Sequence, residues 1–226
     1  MAAGLARAHS AVTDFPSHRV TFVAQLTQDV IRSAVAVMAL TTLAACAHGR
    51  SAAAARSGES ATVVVVVRHA EKAPLPANDP VLSDIGIARA VALDASLRST
   101  PITDVVVSHL QRTRLTAEPL ISRTHATLHV VPIGAAGVAA HVQAVSDTVR
   151  AFARSAGRGV LVVGHSNTVT LIVQALGGPV TPALCDSQYS QLFTVRLRDG
   201  QTAVSRGSYG AADPADASCA AMRTSP

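Results

Sequence analysis

The sequence has no tryptophan, two tyrosines and four phenylalanines, so aromatics are only 3% of its 226 residues. A core made from this chain must be packed with Ala, Val, Leu and Ile. Lysine is nearly missing as well: Lys72 stands alone, and every other basic side chain is arginine. There is no Lys/Arg-rich run and no aromatic interleaved with cations on which a base could stack. A formal charge of +5 therefore gives no case for a nucleic-acid partner. Long charge runs are also absent, and 49% hydrophobic residues mark a globular rather than a disordered chain.

What is present begins with an amino-terminal segment unlike the rest. Arg32 precedes Ser33–Ala45, thirteen uncharged and mostly apolar residues. This is shorter than the roughly 20 residues needed to span a bilayer core, but suits the hydrophobic region of a secretory signal. Leu43-Ala44-Ala45-Cys46 resembles the bacterial lipobox, whose cysteine is lipidated and becomes the first residue of the mature protein. Residues 1–45 are accordingly expected to be a lipoprotein-type signal peptide, with a start at Val30 giving it a more usual length. The resemblance implies a membrane anchor on Cys46 and a cell-envelope location facing the periplasm, at the outer membrane since Ala47 follows. Ordinary cleavage with secretion is the alternative. Lipidation of Cys46 would leave Cys185 and Cys219 as an even pair, either a disulfide in an oxidising compartment or two free thiols.

Residues 46–60, rich in Ala, Ser and Gly, read as a flexible tether. About 180 residues follow the signal, enough to bury an independent core. Thr62–Val67, TVVVVV, is a β-branched run without polar alternation, the mark of a strand buried on both faces. Ala73–Pro80 holds three prolines and reads as a loop. Ser83 can cap the next helix, in which Ile85, Ala88, Val91, Ala92 and Ala95 share a face. Further strands are predicted at Asp104–Val107, Thr127–Val131 and Gly159–Val163. Helices are predicted at Leu110–Arg123, His141–Ser155 and about Asn167–Leu176, the last ended by Gly177-Gly178-Pro179. Gln191–Leu197 and Thr202–Arg206 flank Asp199-Gly200 as a hairpin. The alternation predicts an α/β fold, a three-layer sandwich with a mainly parallel sheet, helices on both faces and a C-terminal hairpin. The domain is expected to cover 61–210, and 211–226 to be a surface tail.

Ligands of open α/β sheets gather at the carboxyl ends of strands. Arg68-His69 follows the first strand, Ser108 to Arg112 the second, and Gly164-His165-Ser166 the fourth. Two histidines and two arginines thus converge on one edge of the sheet. With these residues in view, the segment 63–178 resembles the histidine phosphatase superfamily, which includes phosphoglycerate mutases and bacterial phosphohistidine phosphatases. The family's RHA or RHG signature is here Arg68-His69-Ala70. Its S-x-x-x-R-x-x-x-T-A pattern matches Ser108, Arg112, Thr116 and Ala117, and its second histidine matches His165.

The resemblance implies a metal-independent phosphomonoester hydrolase acting on a small phosphorylated substrate, with no cofactor and a phosphohistidine on His69. Elementary chemistry agrees with that assignment. A phosphomonoester carries close to two negative charges, and arginine offers its oxygens bidentate donors that lysine lacks. Neighbouring cations disfavour imidazolium and keep His69 nucleophilic, and His165 can donate to the phosphoryl group as charge develops. The histidines lack metal-ligand spacing, so no metal site is expected. Glu71 either borders the pocket or forms an exposed ion pair. Ser166 and Asn167 either cap a helix or touch phosphate. His109 can touch substrate at the pocket mouth, Arg114 is read as a surface charge, and His125, His129 and His141 are read as ordinary histidines.

One departure bears on the chemistry. Family members carry an acid for the leaving group, either a glutamate soon after the third strand or an aspartate after the second histidine. Here Val131–Gly137 contains no carboxylate, and Ser166 stands in the other position. General acid catalysis contributes about 10²–10⁴-fold, so good leaving groups are expected to be favoured, with Glu71 the nearest substitute. Mutase activity is not expected, and the alternative to an enzyme is a non-catalytic phosphate-binding or interaction module of the envelope.

Overall fold

The computed structural model describes residues 61–216, apart from 156 and 199, together with Cys219. The signal segment, the tether and Cys46 lie outside these residues. The described elements are β1 (Thr62–Arg68), α1 (Asp84–Ser96), β2 (Asp104–Val107), α2 (Gln111–Thr124), β3 (Thr127–Val130), α3 (Gly137–Ala153), β4 (Gly159–Gly164), α4 (Val169–Ala175), β5 (Gln191–Arg198) and β6 (Gln201–Ser208).

The valine run dictates the centre of the molecule. Val64, Val65, Val66 and Val67 are all buried, and β1 is paired on both edges, parallel to β4 and antiparallel to β5. Sheet order is β3-β2-β4-β1-β5-β6, with the first four strands parallel and the hairpin β5–β6 attached beyond β1. Alternation along β1 sorts its side chains into two cores. Val64 and Val66 pack with Val142, Val145 and Val149 of α3 and Val169, Ile172 and Val173 of α4. Val65 and Val67 pack with Leu93 of α1 and Ala117 and Leu120 of α2. The result is the α/β architecture expected, three layers with a mixed, mainly parallel sheet.

Details differ from expectation. The inner face of α1 is Gly86, Arg89, Ala90 and Leu93, whereas Ile85 and Val91 are more than half exposed. Gly86 is inward because its backbone lies against the Glu71 carbonyl, where a Cβ would clash. Counting aliphatics misplaces such a face, because glycine and arginine occupy its stripe. Helix α3 starts at Gly137 rather than His141, and α4 is capped at Thr168 without a side-chain cap bond from Ser166 or Asn167. Buried Asp104 on β2 accepts from His129 Nε2 (2.9 Å), Arg158 Nη1 (2.8 Å) and Thr103 Oγ1 (2.8 Å), which fastens edge strand β3. These bonds hold the Asp104 carboxyl below its ordinary range against the opposing effect of burial. Among the described residues no helix is long and apolar enough to cross a membrane.

The orientation of α1 predicts unequal costs along it. Leu93→Ala should destabilise by about 2–5 kcal/mol through the cavity it leaves, while Val91→Ala should change stability by less than about 0.5 kcal/mol. Urea unfolding midpoints of the two variants check this ordering.

Candidate active site

Strand β1 delivers Arg68 and His69 to the carboxyl edge of the sheet. His69 N–H donates to Gly164 O (2.9 Å), extending the register with β4 by one residue. The His69 Nδ1 lies 2.8 Å from Ala70 O. A carbonyl can only accept, so Nδ1 carries the proton and Nε2 presents a lone pair. Burial lowers the imidazole's pKa to about 3, assisted by the charges of His165, Arg68 and Arg112 and opposed by the Ala70 bond. The ring is neutral and oriented before any ligand arrives.

His165 follows β4, its backbone N–H held by Thr168 Oγ1 (2.8 Å) and its Nε2 3.0 Å from Ser108 Oγ. The two histidine rings meet edge to face with centroids 5.2 Å apart. Burial, then the charge of Arg112, lowers His165 to about 4. Ser108 ends β2, so β1, β2 and β4 each bring one member to the same edge. Thr116 explains its place in the motif: Oγ1 accepts from Ala70 N (2.9 Å) and donates to Arg112 O (2.7 Å), coupling the loop after His69 to α2.

The guanidinium of Arg68 is buried. Its Nη1 donates to the carbonyls of Cys185 (2.9 Å), Asp186 (3.0 Å) and Gln188 (3.1 Å), and its Nη2 to Tyr189 Oη (3.2 Å). Its Nε is buried and without a protein partner among the described residues, and so is that of Arg112 in the first turn of α2. Leaving a buried donor unsatisfied costs about 1–3 kcal/mol, and more for a charged group. Two such donors beside a neutral, acceptor-bearing imidazole make a place for an oxyanion.

Segment 185–190, between α4 and β5, was not singled out from sequence, yet it carries much of the site. The carbonyls of residues 185, 186 and 188 hold Arg68, and the Tyr189 ring lies 4.0 Å from the guanidinium carbon. The C-terminal residues hold this segment in turn. Asp213 accepts from Tyr189 N (2.8 Å), Ser190 N (2.7 Å) and Ser190 Oγ (2.7 Å), and Asp216 accepts from Ser187 Oγ (2.8 Å). A disulfide joins Cys185 to Cys219, with Cα atoms 5.5 Å apart. Residues 211–216 are mostly exposed, as expected of a surface tail, but they are tied to the domain. Asp213 takes the backbone donors of Tyr189 and Ser190, and Asp216 the Ser187 hydroxyl.

The remaining expected residues fall as follows. Both Glu71 oxygens accept from buried Arg89, at 2.8–2.9 Å, so Glu71 is an ion-pair partner within the fold rather than a substrate contact. Ser166 is half-buried and Asn167 exposed, beside His165 but without side-chain hydrogen bonds among the described residues. His109 accepts from Ile133 N (3.2 Å) at the exposed rim, and Arg114 is exposed. His141 departs from the ordinary role read for it: it is buried, bonded through Nδ1 to Pro132 O (3.3 Å), and its field reaches His165. It is carried by α3, which follows the loop after β3, and no periodicity marks it. Among the described residues no group of three or more His, Cys, Asp or Glu is placed to hold a metal ion.

Residues 64–133 match the model of the histidine phosphatase superfamily (branch 1), a stretch that contains Arg68, His69, Ser108 and Arg112. No curated protein matches the chain. Among solved structures, the protein histidine phosphatase SixA complexed with tungstate is similar at 22% identity and a TM-score of 0.50, covering 65% of this chain and 96% of that one. YhfR of Bacillus stearothermophilus aligns at 15% identity and a TM-score of 0.51, over 63% and 95% of the two chains. Phosphoglycerate mutase of Bacillus anthracis str. Sterne aligns at 16% identity and a TM-score of 0.50, over 66% and 94%. The chain shares the fold of these proteins.

Two measurements follow from the site. Native His69 and His165 resist protonation down to about 3 and about 4, whereas an unfolded chain takes up these protons near about 6.5. The unfolded state binds more protons between those values. The histidines' contribution to stability should therefore be complete above about pH 6.5 and decline as the pH falls toward about 4. The Cε1 resonance of His69 should stay unmoved between about pH 7.5 and about pH 5, and a midpoint near 6.5 would contradict the burial assigned to it. Replacing both Cys185 and Cys219 by Ser opens a link spanning 34 residues and should cost about 2–4 kcal/mol. If the segment positions Arg68, KM for a phosphate ester should rise more than kcat falls, as steady-state kinetics will show.

Proposed function

We propose that this chain is a metal-independent phosphomonoester hydrolase that works through a phosphohistidine on His69. The observation that carries the reading is the neutral, tautomer-fixed His69 beside two buried arginine Nε–H groups that have no protein partner. Phosphoryl oxygens would take bonds from Arg68 and Arg112, holding phosphorus against Nε2 of His69. His165 would donate to the phosphoryl group as its charge spreads in the transition state. Water then attacks the phosphohistidine, returning His69 and releasing phosphate. A structurally similar protein supports the class: a protein histidine phosphatase complexed with tungstate, a tetrahedral oxyanion. We place this activity at the cell envelope, on a lipid anchor at Cys46, from sequence alone.

The test uses the full chain and 4-nitrophenyl phosphate. Wild type should release nitrophenolate and accumulate an acid-labile phosphoenzyme on rapid quenching, and His69→Ala should lose at least about 10³-fold in kcat. Phosphate should still raise the melting temperature of His69→Ala, because the arginines remain. A wild type that is stabilised by phosphate but turns over no faster than His69→Ala would replace the enzyme with a phosphate-binding module.

A further inference from the structure

Resting on the phosphohistidine reading, we infer that Tyr189 is the proton donor to the leaving group, in a role that no carboxylate among the described residues is placed to fill. The carboxylates nearest the site are otherwise occupied or outside it. Glu71 is bound through both oxygens to Arg89. The Asp79 oxygen 4.0 Å from Arg112 Nη1 also accepts the backbone N–H of Gln111 (3.0 Å). Asp186 is fully exposed, and Asp213 is used by the backbone and side chains of residues 189–191. Among hydroxyls, Ser108 faces His165, and Thr116 is spent between Ala70 and Arg112.

Tyr189 differs from all of these. Its oxygen accepts from Arg68 Nη2 (3.2 Å), while its own hydrogen has no acceptor among the described residues. The ring stands edge to face with His69, centroids 6.3 Å apart. The phenol oxygen is also close enough to both Arg68 and Arg112 to interact electrostatically with each. A phenol donates a proton as well as accepting a bond, and a guanidinium beside it stabilises the anion that remains. The backbone is pinned by Asp213, so the ring is set before substrate binds.

The step balances. The lone pair of His69 Nε2 forms the N–P bond as the ester P–O bond breaks. The Tyr189 proton passes to the departing oxygen, which leaves as an alcohol, and Arg68 faces the resulting phenolate. In the second half, water forms a new P–O bond as the N–P bond breaks, and the phenolate takes the proton from water. Tyr189 and His69 return to their starting states.

The test compares wild type and Tyr189→Phe on two esters, 4-nitrophenyl phosphate and 2-phenylethyl phosphate. Phenylalanine keeps the ring over Arg68 and removes only the hydroxyl. The variant should lose about 10²-fold or more in kcat/KM on the alkyl ester, which needs a protonated leaving group. On the nitrophenyl ester, whose leaving group departs unaided, the loss should be at least about tenfold smaller. An unchanged urea unfolding midpoint certifies the fold of the variant. Equal losses on both esters would reduce Tyr189 to a positioning residue for Arg68 and overturn the inference. Unchanged rates on both would overturn it as well, while leaving the hydrolase reading intact. Only absence of wild-type turnover on both esters would remove the hydrolase reading and this inference together.

Discussion

Arg68 is a charge sealed beneath the surface at the end of the central strand, and the rest of the site is arranged around the cost of keeping it there. Taking a cation out of water costs several kcal/mol unless bonds replace its hydration. Three backbone carbonyls and a phenol supply most of them, all from the segment 185–190. That segment has no regular secondary structure, so it must be held from outside. Asp213, Asp216 and the Cys185–Cys219 bridge hold it. One buried guanidinium thereby links the first strand of the domain to its last described residues.

The same solution occurs a second time. The two tyrosines of the sequence each lie against a buried arginine, Tyr189 at Arg68 (4.0 Å) and Tyr209 at Arg89 (5.9 Å). Arg89 holds Glu71, next to the nucleophile's loop, and also the carbonyls of Tyr209 and Ala211. In a chain so poor in aromatics, the tyrosines are placed where a cation needs a polarizable face and a nearby dipole. Both arginines brace His69, one from its own strand and one through Glu71. His69 is kept neutral among cations mainly by burial, and burial demands a rigid surround.

Much of this was legible in the chain. The valine run announced a strand buried on both faces, and β1 is indeed paired on both edges, with β4 and β5. Arg68-His69, Arg112 and His165 could be placed at one sheet edge from strand order alone, because the ends of parallel strands share an edge whatever the side chains do. Less was legible in α1, where Gly86 and Arg89 rather than Ile85 and Val91 face inward. Periodicity records hydrophobicity, and it misses a glycine chosen for close approach and an arginine chosen for a buried partner. Glu71 illustrates the same limit: its neighbours in sequence suggest a pocket, but its partner lies on a helix eighteen residues away.

By itself, then, the sequence determined the fold class and the half of the site where Arg68, His69, Arg112 and His165 gather. Both rest on local signals: β-branched runs, strand ends, and residues a few positions beyond them. Only the tertiary structure decided what surrounds that half. The link from 185–190 to Arg68 spans more than a hundred residues, and Tyr189 and the C-terminal aspartates carry no local pattern that marks them. Their roles are fixed by which backbone donors and acceptors the folded chain leaves unpaired, a property of the assembled sheet rather than of any stretch of sequence.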